Sequence, residues 1–294
     1  VGDFSVASRK VLSKKQVANS DSYRPAPAAV ETARLNEGAE LLKDSATDEI
    51  WRGTVRIDAY VDVPVYFRMG SLRSIVSELV CSVLGRTLGL PIPRPYLIEV
   101  TRKALPGSKN WKAREDRRFT FACAEVSEST AFSQIIAQDS EYARQLLRKW
   151  DLYPHTVIFD EWVANLDRNH SNILFSANVI WLIDHADALG GILSELHALK
   201  EIQTDSFTNV LLDRHVADFT HQDKADLITI ASEIMTYASD IDLDAAIACA
   251  AVESITSLEA ASEVLEFLAT RLKNTVPFLC NRVGLQQFDF ENAK

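Results

Sequence analysis

Asp167 and Asn172 stand five positions apart in Asp167-Arg168-Asn169-His170-Ser171-Asn172, and Asp184 comes twelve residues later in Leu182-Ile183-Asp184-His185. Carboxylate and amide oxygens are hard donors of the kind that hold Mg²⁺. A phosphoryl-transfer site needs such donors, a carboxylate that orients the attacking hydroxyl, and cations that balance phosphate charge. In that scheme Asp167 orients the nucleophile, while Asn172 and Asp184 hold the metal.

Alone, Asp-Arg-Asn reads most simply as a solvated turn. The residues after it change this. Ile173-Leu174-Phe175 and Val179-Ile180-Trp181-Leu182-Ile183 flank Ser176-Ala177-Asn178, a spacing suited to a hairpin that brings Asn172 and Asp184 to one end. A different chemistry uses the same stretch: His170 and His185 with Asp167 and Asp184 would make the His/Asp metal site of a phosphohydrolase. Neither histidine has helical i, i+4 spacing to another ligand, which weighs against that assignment. Asp187 lies past the strand end and reads as a cap for the next element.

The elements that must position these groups are legible around them. Ile50–Ile57 and Val63–Met69 are β-branched and aromatic runs that predict a two-stranded ribbon. Ile75, Val76, Leu79, Val80, Val83, Leu84 and Leu88 share one helical face, with a stop at Gly89. Tyr96–Val100 and Phe119–Val126 read as strands. The second half is mainly helical, with helices predicted over Ser140–Trp150, Pro154–Ala164, Asp223–Tyr237 and Ser257–Lys273, the last capped by Ser257. This pattern gives an α+β fold.

Residues 1 to about 30 are polar, carry Arg9, Lys10, Lys14 and Lys15, and read as a partly mobile arm. With 294 residues, of which 47% are hydrophobic, the chain can bury a substantial core. A net charge of −10 argues against a nucleic-acid surface as its main business. Cys81, Cys123, Cys249 and Cys280 lack CxxC spacing and read as buried reduced thiols, which argues against zinc and fits a cytoplasmic setting. No apolar run approaches the length of a membrane span, so neither insertion nor export is expected.

Over roughly residues 50 to 190 the chain resembles the HipA-like kinases and, more distantly, the phosphatidylinositol 3-kinase-like and protein kinases. The resemblance rests on Asp167-Arg168…Asn172, on Ile183-Asp184 after a hairpin, and on Val65-Tyr66-Phe67-Arg68, Ser77-Glu78-Leu79 and Leu88-Gly89-Leu90-Pro91-Ile92-Pro93. It implies a bilobal protein-kinase-like fold, with a small mixed N-lobe over residues 31–126 and a mainly helical C-lobe over residues 127–294. It also implies ATP and Mg²⁺ as cofactors, with Asp167 as the catalytic aspartate and Asn172 and Asp184 as metal ligands. Arg68 and Glu78 would be the phosphate-side pair, and Glu125 and Val126, in the connection after the last N-lobe strand, would meet adenine.

Two departures stand out. Arg68 replaces the expected Lys, and the His usually placed directly after the loop Arg is displaced by one, giving Arg168-Asn169-His170. No Gly-x-Gly-x-x-Gly loop is present in the ribbon. The resemblance implies transfer of the γ-phosphate to a Ser or Thr hydroxyl on a protein, in a toxin or defence setting with a separate antitoxin or regulatory partner. The rival expectation, supported by Arg68, is a pseudokinase that keeps the fold as a nucleotide-binding interaction module.

Overall fold

The computed structural model describes residues 26–44, 49–58, 60–191 and 195–285. Most of the expected N-terminal arm therefore lies outside the described residues. Its last five residues are described, and Val30 among them donates its N–H to the Cys249 carbonyl at 2.7 Å.

The architecture is mixed α/β. The first part holds strands β1 (Glu31–Leu35), β2 (Glu40–Asp44), β3 (Glu49–Arg56) and β4 (Asp62–Arg68), helix α1 (Leu72–Thr87), and strands β5 (Pro95–Thr101) and β6 (Arg117–Ala124). The sheet order is β1-β5-β6-β4-β3-β2, and β1 also pairs with β3, so the sheet curls back on itself. The predicted ribbon is β3–β4. Strands β1 and β2 were not predicted, because only Ala33 and Leu35 of the short β1 face inward and Leu41 and Leu42 of β2 are exposed.

Alternation divides the two faces of this sheet. Val65 and Phe67 of β4 join Val55, Ile98, Val100 and Ala122 in one apolar cluster. Tyr66 and Arg68 point the other way, as the two-residue period of a strand requires. Helix α1 lies on that second side, packed with Leu97 and Phe121 of the sheet. Ser71 caps its start, and Gly89, with φ +78°, lies just past its end, as the sequence predicts.

The second part holds β7 (Thr130–Ala131), α2 (Phe132–Gln138), α3 (Ser140–Arg148), α4 (Tyr153–Trp162), β8 (Ile173–Ser176), β9 (Val179–Leu182), α5 (Leu199–Ile202), α6 (Val210–Asp213), α7 (His221–Ala238), α8 (Leu243–Cys249) and α9 (Leu258–Val283). One large core joins α1, α4, α7 and α9 with the inward face of β8 and β9. Gly85 lets α1 approach α4, since a Cβ there would meet the Phe159 ring at 3.2 Å and collide with Ile92. Helix α9 extends ten residues past the predicted end at Lys273 and runs through Pro277. No helix among the described residues is long and apolar enough to cross a membrane.

The predicted hairpin is β8–β9, with Ser176 paired to Val179. Its two-residue turn, Ala177-Asn178, has positive φ at both positions (47° and 65°), the geometry that matches the twist of flanking strands. Register then sets Asn172 beside Ile183, whose N–H donates to the Asn172 carbonyl at 3.1 Å.

Candidate active site

The loop after α4 is built around a buried guanidinium. Arg168 donates from Nε and Nη2 to both carboxylate oxygens of Asp160, at 3.1 and 3.2 Å, and both side chains are buried. Its Nη1 donates to the carbonyl oxygens of Asn172 (3.1 Å) and Ile183 (2.6 Å). One side chain therefore holds together the backbones that carry the two expected metal ligands. Asp160 comes from the apolar run Val157-Ile158-Phe159 of α4, and an acid embedded in such a run was the only signal for this pair. The sequence motif includes Arg168 without giving it a role, and Asp160 was not singled out.

Asp167 faces two side-chain amides. Asn169 Nδ2 donates to its Oδ1 at 2.8 Å and Asn172 Nδ2 to its Oδ2 at 3.1 Å. The Asn172 Nδ2 also donates to the Asp167 carbonyl at 2.6 Å. With its nitrogen turned toward Asp167, the oxygen of the Asn172 amide is directed away from Asp167.

Asp184 lies just beyond β9 with φ +60°, a conformation uncommon for a non-glycine residue. Its carboxylate forms an ion pair with Arg68. The same guanidinium approaches Glu78 Oε1 at 3.6 Å, and Glu78 Oε2 accepts the His185 N–H at 2.9 Å. The expected Arg68–Glu78 pairing is thus present, but Arg68 is closer to Asp184. Burial, followed by the Asp184 charge, pushes Glu78 up to about 7. Burial acts in the same direction on Asp184, yet the Arg68 charge and hydrogen bond hold it below the ordinary carboxylate value.

Helix α1 is tied to the segment after Asp184 by more than Glu78. Arg73, unremarked in the sequence, donates to the carbonyls of Ala188 (3.2 Å) and Leu189 (2.6 Å), and Ser77 Oγ to that of Ala188 (3.3 Å). Asp187, expected as a cap, lies near enough to Asp167 and Asp184 that their charges add to burial in raising its pKa.

The two histidines diverge. His185 is buried against Phe159 and Glu78, and burial pushes it down to about 3. His170 packs against Phe132 and His215, with Nδ1 3.2 Å from Arg214 Nη1, and is pushed down to about 4 by burial and the Arg214 charge. The shared His/Asp metal site of the hydrolase alternative is not assembled, and among the described residues no group of three His, Cys, Asp or Glu could hold a metal.

Glu125 and Val126 sit in the connection after β6 and line a recess of about 510 Å³ together with Pro93, Arg94, Ser127 and Trp181. Arg68, Glu78 and Asp184 do not line it. The Glu125 N–H is already given to the Pro64 carbonyl at 2.9 Å, so that donor is not open to adenine. Its carboxylate pairs with Arg52 at 2.9 Å and accepts from the Tyr66 hydroxyl at 3.2 Å. Sheet pairing consumes the Glu125 donor in a way its sequence neighbours could not reveal.

A family model described as HipA-like kinase matches residues 65–242, a span that contains Arg68, Glu78, Glu125, Val126, Asp167, Asn172 and Asp184. The chain belongs to the HipA-like kinases. Among curated proteins none matches it. Of solved structures, that of the Helicobacter pylori proinflammatory kinase CtkA is similar to this HipA-like kinase, with a TM-score of 0.51 and 13% sequence identity, covering 87% of this chain and 98% of that one. At that identity the likeness concerns the fold, and it reaches beyond the span of the family match.

Proposed function

We propose that this HipA-like kinase uses ATP and Mg²⁺ to phosphorylate a Ser or Thr hydroxyl on a protein, with a bilobal arrangement in which residues 31–126 and 127–294 are the two lobes. In this scheme the substrate hydroxyl oxygen bonds to the γ-phosphorus as the bond to the bridging oxygen breaks. ADP leaves with that oxygen, and the hydroxyl proton passes toward Asp167. Two amides already aim the Asp167 carboxylate, which fits an orienting role.

The donor set fits Mg²⁺: the outward-facing oxygen of Asn172 and the ionised carboxylate of Asp184 would hold it, and bound there it would neutralise phosphate charge. Arg68 would exchange Asp184 for a nucleotide phosphate. Val126 remains the residue proposed to meet the base, alongside Glu125 acting through groups other than its N–H.

The observation that carries this reading is Arg168 bridging the carbonyls of Asn172 and Ile183, which fixes both ligand-bearing strands from within. A cytoplasmic toxin or defence component with a separate antitoxin or regulatory partner is suggested by the family resemblance and belongs to the same proposal. A second reading, a pseudokinase that binds nucleotide without transfer, is favoured by the Arg68–Asp184 ion pair, which engages the metal carboxylate.

Purified protein incubated with Mg²⁺ and γ-labelled ATP tests both, alongside Asp167→Asn and Asp184→Asn. Label transfer by wild type, reduced about 10²-fold or more in either variant, supports the kinase. Nucleotide binding without transfer supports the pseudokinase. Absence of both sinks the two readings together.

A further inference from the structure

The displaced histidine leaves Asn169 in the place directly after the loop arginine, and its amide is not idle. Its Oδ1 accepts the Ser171 N–H at 2.7 Å, capping the short turn His170–Asn172, and its Nδ2 donates to Asp167 Oδ1 at 2.8 Å. The backbone contact decides which end of the amide is which, because a main-chain N–H requires an acceptor. With Oδ1 committed to Ser171, the nitrogen faces Asp167. The opposite carboxylate oxygen is held by Asn172 Nδ2 at 3.1 Å, so Asp167 is gripped from both sides. The two grips differ, since Asn172 must also serve the proposed metal site, whereas the other contact of Asn169 is the cap of its own turn. His170, one residue on, turns instead to Phe132, His215 and Arg214.

We propose that Asn169 is a positioning residue for phosphoryl transfer, fixing the plane of the Asp167 carboxylate. The proposal rests on the assignment of Asp167 as the carboxylate that orients the hydroxyl. An amide does not titrate, so it holds its donor at every physiological pH.

Serine separates the two jobs of Asn169. It is an equally good cap for the turn, it is neutral, and it is too short to reach Asp167. In the full-length Asn169→Ser protein with Mg²⁺ and γ-labelled ATP, kcat falls about 10- to 100-fold while KM for ATP stays at the wild-type value and the protein remains folded at the assay temperature, the split expected when a contact that aims a catalytic group is lost. A crystal structure of Asn169→Ser, which needs no turnover, shows the Asp167 carboxylate rotated off Asn172 Nδ2. Wild-type kcat in Asn169→Ser, or an unrotated carboxylate, overturns the proposal and leaves Asn169 a cap. A kcat loss matched by the loss of folded protein at the assay temperature overturns it as well. Asp167→Asn distinguishes the failures: if that variant turns over normally, the assignment of Asp167 falls, whereas if it is inactive and Asn169→Ser is not, only the role of Asn169 falls.

Discussion

The loop and hairpin from Asp160 to Asp184 and the sheet-side cation Arg68 belong to one candidate site, yet they are held by opposite means. On the loop, the polar groups have short, directional, local partners, and the central ion pair of Arg168 with Asp160 is sealed from water. On the sheet side a partly exposed Arg68 is shared between two carboxylates, Glu78 and Asp184, that come from different elements. A buried pair with all its hydrogen bonds made has one geometry, because any other leaves an uncompensated charge. A shared, partly exposed cation is held less strictly, because water can replace either carboxylate. The loop and hairpin that carry Asp167 and Asn172 are thus fixed from within, whereas in the proposed scheme Arg68 would exchange Asp184 for a nucleotide phosphate.

Substitutions at the two regions should differ accordingly. The largest effect is expected at Arg168: Arg168→Met leaves Asp160 buried without its partner and frees two carbonyls, costing about 3–5 kcal/mol of stability by urea unfolding. A cost under about 1 kcal/mol would erase the contrast. Next is Arg68→Lys, which keeps the charge but loses the guanidinium whose Nη2 lies against both carboxylates. Label transfer should rise, by up to about tenfold, as the grip on Asp184 weakens. A fall would show that the guanidinium itself serves phosphate.

Glu78 gives a smaller, pH-dependent effect. Its folded pKa, near 7, lies above the ordinary carboxylate value because of burial, so the folded state holds a proton that the unfolded chain releases from about pH 4.5 upward. The stabilisation from that proton is complete below about pH 4.5 and lost as pH rises through 7. Compared with Glu78→Gln, wild type should therefore lose melting temperature between these values. A constant difference would mean that Glu78 is ionised throughout. The smallest effect belongs to Arg52→Ala, on β3, where the pair with Glu125 is exposed on the Arg side. No measurable change in melting temperature is expected, since such pairs are screened by water.

The same division governs how far the site could be read from sequence. Asp167, Asn172 and Asp184 could be joined because a hairpin is a local object: two apolar runs and a short turn fix register, and register fixes which ends meet. Helix α1 was equally open, since its apolar spacing and Gly89 mark it without reference to anything distant. Arg168 with Asp160, Arg73 with the carbonyls of 188 and 189, and the commitment of the Glu125 N–H to Pro64 were not legible. Each depends on where another element packs, and no periodicity encodes that. Strands β1 and β2 were missed for a related reason, being short and defined by the partners that complete their hydrogen bonds.

The sequence by itself determined the α+β pattern, the hairpin and the order of its oxygen donors, because these depend on spacing along a few turns or strands. Only the tertiary structure decided that Arg168 is the buried clasp of that hairpin and that Arg68 rests on Asp184 rather than on Glu78 alone. The reason is physical: spacing sets which side chains share a face, but the partner of a charge is chosen by burial and distance, which exist only once the elements have packed.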